Sequence, residues 1–393
     1  MRIALLTDGI WPYVLGGMQK HSYYLCKYFA QSSIHVDLYH FNSSTYDISQ
    51  LDVFTDEERP FIHSFIIPFP VSIRFPGHYL FNSYRYSRAL YQAMKPRLVD
   101  YDFIYTKGFT GWHLLEQKKK SLFDKPLIGV KFHGYEMFQK PPDLKTRLQH
   151  FLFLRRPVRA ISRNADVVFS YGGNITGIIS ALGVPVSRIF EIPSGVEAST
   201  LVEEVRPAGE VLRFVFLGRY ERRKGIEELN RAIKLLLATQ PNLKVQFNFI
   251  GPIPGNRQIK NKNVRYFGEI RNKQKLQELI RQQDILLCPS WSEGMPNVIL
   301  EAMAAGLAVV ATDVGATAVL IRPETGWLLK NSAPELLART LSNIADLSPE
   351  EIQARKQASL KMIREEFTWE KLIQGLISGI KEKTDRSVAG SIL

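Results

Sequence analysis

The residues best suited to chemistry fall in a few short stretches. The first is Gly218-Arg219-Tyr220-Glu221-Arg222-Arg223-Lys224-Gly225, which follows the apolar run Phe214 to Leu217 and precedes a helix-length segment. A strand end that feeds a helix start is where a parallel α/β sheet binds its ligand. Backbone N–H groups at such a helix start favour a phosphate. Arg219 and Lys224 would add charge-assisted hydrogen bonds to a diphosphate there; a merely solvated basic loop is the plainer reading of these residues taken alone.

The second stretch runs from Ser292 to Gly306, directly after a strand-like run ending at Cys288. Pro296 or Asn297 opens a helix whose interior reaches Ala305, and Gly306 closes it. That places Glu293 in the loop before the helix and Glu301 a little over one turn inside, among Leu300, Ala302 and Met303. A carboxylate in apolar surroundings is costly unless it accepts hydrogen bonds. Hydroxyls of a sugar and a ribose would supply them; a core Lys or Arg is the alternative.

Two further stretches concern a second substrate. Lys140 to Arg163 carries seven basic residues, including Lys145, Arg147, Arg155 and Arg156, against one acid, with Leu144, Leu148, Phe151 and Leu152 at helical spacing. Such a basic amphipathic segment suits an anionic membrane surface. Arg59 to Lys95 is crowded with aromatics (Phe69, Phe75, Tyr79, Phe81 and Tyr86 among them) interleaved with Arg74, Arg85 and Arg88. Asp100-Tyr101-Asp102 has the spacing of a manganese-holding pair, but it immediately precedes a strand, and a turn accounts for it. No metal is expected.

These residues need a frame. The chain has 393 residues, 45% hydrophobic and 23% charged, enough for two globular domains. Apolar runs at Ile3–Leu6, His35–Phe41, Phe103–Tyr105, Leu127–Phe132, Val167–Ser170 and Ile189–Ile192 alternate with helix-length segments. A second series follows at Arg213–Leu217, Val245–Ile250, Val264–Phe267, Ile285–Cys288 and Ala308–Ala311. Two such series predict two doubly wound parallel sheets in an α/β fold. Residues 1–205 form the first domain and 206–366 the second, with the joining segment in Pro193 to Glu210. An amphipathic helix over 370–383, with Thr368 at its N-cap, follows, and the last ten residues are expected to fray. Cys26 and Cys288 read as reduced core residues. The start lacks a signal-peptide pattern and no apolar run approaches a membrane span, so a cytoplasmic protein, peripheral at the inner membrane face, is expected.

Several elements in order carry a resemblance: Gly16-Gly17, Phe132-His133-Gly134, Ile192-Pro193-Ser194-Gly195, the 218–225 loop, Phe249-Ile250-Gly251, Phe267-Gly268, and Glu293 with Glu301 followed by Ala302-Met303-Ala304-Ala305-Gly306. Together they resemble the GT-B glycosyltransferases of retaining family 4, whose donor domain has a Glu-x7-Glu motif. The resemblance implies two facing Rossmann-like domains, the last helix crossing back onto the first, and a nucleotide-diphosphate sugar as donor. By position it implies that Arg219 and Lys224 neutralise the diphosphate and Glu301 holds the ribose. Glu293, with the Gly294-Met295-Pro296-Asn297-Val298 loop, would meet the transferred sugar, and His133 would reach it from the opposite domain. Gly16 and Gly17 would let the first loop approach the diphosphate. It further implies a glycan or lipid-linked acceptor, transfer with retention, and no cofactor. The chain departs from the family at Val314-Gly315-Ala316, which no carboxylate follows, and at Ser194 and Glu197.

The formal charge of +13, from 51 Lys and Arg against 38 acidic residues, calls for an anionic partner. Nucleic acid is not expected: no helix-turn-helix, zinc finger or RNA-binding strand motif is present. An epimerase or a nucleotide-sugar-binding pseudo-enzyme on the same frame is the alternative.

Overall fold

The computed structural model describes residues 1–14, 16–42, 52–72, 75–120 and 123–389; Arg74 lies outside them. The Val-, Ile- and Phe-rich runs of the first half pair as seven parallel strands: β1 (Arg2–Leu6), β2 (His35–His40), β3 (Ile62–Ile66), β4 (Phe103–Lys107), β5 (Leu127–Lys131), β6 (Val167–Ser170) and β7 (Ile189–Glu191). Their order is β3-β2-β1-β4-β5-β6-β7. Six more form a second parallel sheet: β8 (Leu212–Leu217), β9 (Val245–Ile250), β10 (Val264–Gly268), β11 (Ile285–Cys288), β12 (Ala308–Thr312) and β13 (Gly326–Leu329), in the order β10-β9-β8-β11-β12-β13. Both sheets are Rossmann-like, as the alternating pattern predicts.

Helices cover both faces of each sheet, which is why the central strands are apolar without alternation; every residue of β4 and of β12 is buried. β3 and β13 were not foreseen. They are edge strands and only partly buried; β3 interrupts its apolar residues with His63 and Ser64, and β13 is only four residues long and opens on glycine, so neither carries the signal of a central strand.

The chain passes between the sheets twice. Residues 192–211 hold only a short turn, Ala198–Thr200. The return is made at Phe367 and Thr368, where Val196 N–H donates to Phe367 O (2.9 Å) and Trp369 N–H donates to Val196 O (2.9 Å). The final helix, Trp369–Ala389, then packs against helix Gly17–Gln31 of the first half. It runs beyond the predicted 383 to Ala389, so residues 384–389, expected to fray, are helical. Trp369 anchors it, 2% exposed, stacked on Tyr28 at 6.2 Å and edge-on to His21 at 5.1 Å.

Truncating that anchor removes a fully packed indole, so Trp369→Ala should cost about 3–5 kcal/mol. Urea denaturation measures it, and an unchanged midpoint would contradict the anchoring role.

Candidate active site between the two sheets

In each sheet the strand order reverses once, between β1 and β4 and between β8 and β11. Ligands bind outside the C-terminal strand ends at such a reversal. The two reversals face each other. Gln139, from the first domain, accepts from the Glu293 N–H at 3.3 Å and donates from Nε2 to the Glu293 carbonyl at 2.6 Å. A Cβ on Gly294 would stand 1.6 Å from the His133 carbonyl oxygen, so only glycine lets the backbones meet. Ser194 N–H points to the Met295 sulfur at 3.1 Å.

The loop after β8 turns through Gly225, at φ 66°, where a Cβ would lie 1.8 Å from the Pro289 carbonyl oxygen. This tight approach delivers two cations to one buried carboxylate. Lys224 Nζ lies 2.7 Å from Glu293 Oε1 and Arg223 lies 3.3 Å from Oε2, while the Ser290 hydroxyl donates to Oε1 at 2.7 Å. Glu293 is only 5% exposed. Burial pushes its carboxyl pKa up, but Lys224 and Arg223 outweigh that and hold it below the ordinary value. Arg219 instead projects outward, 76% exposed and paired with Glu221 at 2.8 Å.

Helix Asn297–Ala304 starts where predicted, with Gly306 just past its end in the left-handed region. Glu301, expected among apolar neighbours, faces the cleft with its side chain 38% exposed and meets Lys20 of the first domain at 2.7 Å. Its flanking residues point into the core while position 301 falls on the open face of the helix. Gly16 and Gly17 open the helix that carries Lys20, and Gly17 lies across the cleft from Asn297. Lys20, Glu301 and Asn297 line an interdomain cavity of about 450 Å³. Pro296 and Val298 flank Asn297 at the helix start.

His133, just after β5, is held by Tyr171, whose hydroxyl lies 2.8 Å from Nδ1, and by His21 edge-on at 5.1 Å. Its Nε2 is buried without a hydrogen-bond partner. Burial, then the nearby Lys107 and Lys131, keep the ring pKa well below the ordinary value.

Four residues of this cluster had no assigned role in the sequence reading: Arg223, Ser290, Lys20 and Gln139. Arg222, Arg223 and Lys224 are consecutive cations, and spacing alone does not say which ones turn inward. Asp102, of the Asp-x-Asp, accepts from Arg2 N–H at 2.7 Å, tying the start of β4 to that of β1. Among the described residues no group of three or more His, Cys, Asp or Glu is placed to hold a metal ion.

On the first domain's outer side, Leu144, Leu148, Phe151 and Leu152 are 78%, 58%, 61% and 56% exposed. Lys145, Arg147 and Arg156 are exposed beside them. Arg155 is not free: its Nε donates to the Met137 carbonyl at 2.8 Å. The aromatic stretch divides, with Tyr86 in the core and Phe75, Tyr79 and Phe81 exposed. No described helix is long and apolar enough to cross a membrane.

Two family models match: Glycosyltransferase Family 4 over residues 15–200 and Glycosyl transferases group 1 over residues 212–346. Among curated proteins, the TuaC chain of Bacillus subtilis (strain 168), assigned as a teichuronic acid biosynthesis glycosyltransferase, is 34% identical over 33% of this chain and 31% of its own length. A phosphatidyl-myo-inositol mannosyltransferase of Mycobacterium tuberculosis is 30% identical over 49% of this chain and 52% of its own. The matches thus span a third to a half of those relatives. Among solved structures, a trehalose-6-phosphate structure from E. coli bound with UDP-2-fluoro glucose superposes with a TM-score of 0.72 at 16% identity, covering 97% of this chain and 99% of that one.

The Glu293 cluster makes a pH-dependent prediction. A carboxyl whose pKa is lowered on folding stabilises the fold above its unfolded pKa and stops doing so as pH falls through the folded one. Glu293→Gln should therefore cost roughly 3 kcal/mol at about pH 7 and distinctly less at about pH 3. Chemical denaturation at both values tests this; an equal cost at both would exclude an ionised Glu293.

Proposed function

Since the chain belongs to the family 4 glycosyltransferases of the GT-B fold, we propose that it transfers a hexose-type sugar from a nucleotide-diphosphate donor to a glycan or lipid-linked acceptor. The observation that carries this is the Lys224–Arg223–Glu293 cluster, set at one sheet reversal and backed by His133 at the other. Lys224 and Arg223 sit where a donor diphosphate would need counter-charge, with Arg219 at the loop's lip. The reading therefore calls for no metal or other cofactor.

Glu301 accepts from the ribose hydroxyls once these replace Lys20. The backbone of Gly294 to Val298 faces the sugar, with Gly16 and Gly17 closing over the diphosphate. Glu293 is tied by three donors and is poorly placed to be a nucleophile. Retention then follows from front-face attack: the acceptor oxygen bonds to the anomeric carbon as the bond to the diphosphate breaks, and the hydroxyl proton passes to the leaving oxygen. Lys224 and Arg223 stabilise the charge building there. The names of the relatives favour cell-envelope glycan synthesis.

The exposed Leu144, Leu148, Phe151 and Leu152, with Lys145, Arg147 and Arg156, form a face suited to an anionic lipid surface. This supports a peripheral enzyme at the inner face of the membrane.

Lys224→Ala and Glu301→Ala should each lower kcat/KM for transfer by about 100-fold or more. UDP, GDP and ADP, screened by thermal shift, should include one that stabilises the protein by about 2.7 kcal/mol at a hundredfold excess over its Kd. That stabilisation should be lost in Lys224→Ala. Stabilisation by none of them, or full transfer by either variant, would refute the reading.

Replacing Lys145, Arg147 and Arg156 together by Glu should weaken binding to vesicles containing phosphatidylglycerol, at about 1 kcal/mol per residue. Flotation of the triple variant equal to wild type would make this face simply solvated.

A further inference from the structure

Strand register brings Tyr171 to His133. In the parallel pairing of β5 with β6, Gly129 lies opposite Val167 and Val130 opposite Val168. His133 is as far along the chain from Gly129 as Tyr171 is from Val167, so the two emerge side by side just beyond the C-terminal strand ends. Their side chains meet, with the Tyr171 hydroxyl 2.8 Å from His133 Nδ1. The phenol itself is held firmly, at 3% exposure. Lys131 Nζ sits 3.9 Å from the centre of its ring and donates to the Ile192 carbonyl at 2.7 Å. The turn that follows is pinned as well: Gly172 N–H donates to the Ser170 hydroxyl at 3.0 Å, and that hydroxyl lies 2.7 Å from the one of Thr176.

The protons available set the direction of this hydrogen bond. A tyrosine hydroxyl brings one, and a neutral imidazole brings one, on either Nδ1 or Nε2. Suppose Nδ1 carried the ring proton. The Tyr171 hydroxyl proton would then have no acceptor, and Nε2 no donor, among the described residues. If Tyr171 donates to Nδ1 instead, the ring proton sits on Nε2 and that N–H is the one group left over. Each unsatisfied buried polar group costs its full desolvation, so the second arrangement is favoured. The leftover N–H belongs to a residue that lines a cavity at the C-terminal ends of β1, β4 and β5, where a ligand oxygen can meet it.

We propose that Tyr171 is a positioning residue, whose hydroxyl donates to His133 Nδ1 and holds the ring as its Nε2–H form, a hydrogen-bond donor available to an oxygen of the bound sugar. This rests on the transfer reading above; Tyr171 itself touches no substrate and acts only through His133. Phenylalanine at the position would keep the aromatic packing under Lys131 while leaving Nδ1 without its donor and the imidazole free to turn.

Two measurements on the full chain test this. The first is long-range proton–nitrogen correlation NMR on protein with isotope-labelled histidine, the His133 signals being those lost in His133→Ala. The wild type should show the proton on Nε2 and a hydrogen-bonded, unprotonated Nδ1. In Tyr171→Phe the Nδ1 resonance should move downfield, as an imidazole nitrogen does on losing its donor. A proton on Nδ1 alone in the wild type would overturn the proposal, and this readout needs neither substrate nor a folded variant at position 171. The second is turnover, read as nucleoside diphosphate released from UDP-glucose, UDP-galactose or GDP-mannose with water or octyl glucoside as acceptor. Tyr171→Phe should lower kcat/KM by about 5- to 10-fold in the wild type, and by less than about twofold where His133 is already Ala. An equal loss in both backgrounds would make Tyr171 a packing residue only, and no loss in the wild type would remove its role; either result overturns the proposal. Release from none of the three donors by the wild type would instead overturn the transfer reading, with the direction of the Tyr171–His133 bond still decided by the spectrum.

Discussion

The cleft depends on one buried carboxylate being kept charged. Glu293 sits where water is largely excluded, and an ionised group there is tolerable only because Lys224, Arg223 and Ser290 converge on it. The same residue's backbone is gripped by Gln139 from the opposite domain. Charge neutralisation and domain apposition are therefore satisfied by a single loop, 289–296. The loop is wedged further by Gly315, where a Cβ would lie 2.2 Å from the Glu293 carbonyl oxygen. The departure from the family at Val314-Gly315-Ala316 thus lies against this loop, with Ala316 fully buried.

A second carboxylate of the cleft is neutralised from the opposite domain. Lys20 occupies Glu301, so the proposed nucleotide-sugar donor would have to exchange an ammonium for hydroxyls. Both partners are more than a third exposed, so the exchange is inexpensive in water. Glu293 is different: Lys224, Arg223 and Ser290 all come from its own domain, so its neutralisation does not depend on the other one.

Much of this could be read from residues alone. The central strands announced themselves because coverage on both faces demands continuous apolar runs, and the 218–225 and 289–296 loops sit where a strand end meets a helix start. Legibility failed where local pattern carries no information about direction. Glu301 has apolar neighbours yet faces the cleft, because helical position and not company decides its environment. Arg155 has the same local chemistry as Arg156 but is spent on the Met137 carbonyl. The buried Lys107 and Lys131, at the last positions of β4 and β5, looked like ordinary strand-end lysines, since nothing in sequence distinguishes a solvated ammonium from one enclosed beneath two domains.

The return of the chain at Phe367 and Thr368 has a mechanical side. Because that segment is paired to Val196, the outgoing and returning connections run side by side and are stitched by two backbone hydrogen bonds. A single linker would leave one domain free to swivel on the other. With two stitched crossings, any swivel of one domain about its outgoing connection has to drag the returning one with it or break the Val196 hydrogen bonds.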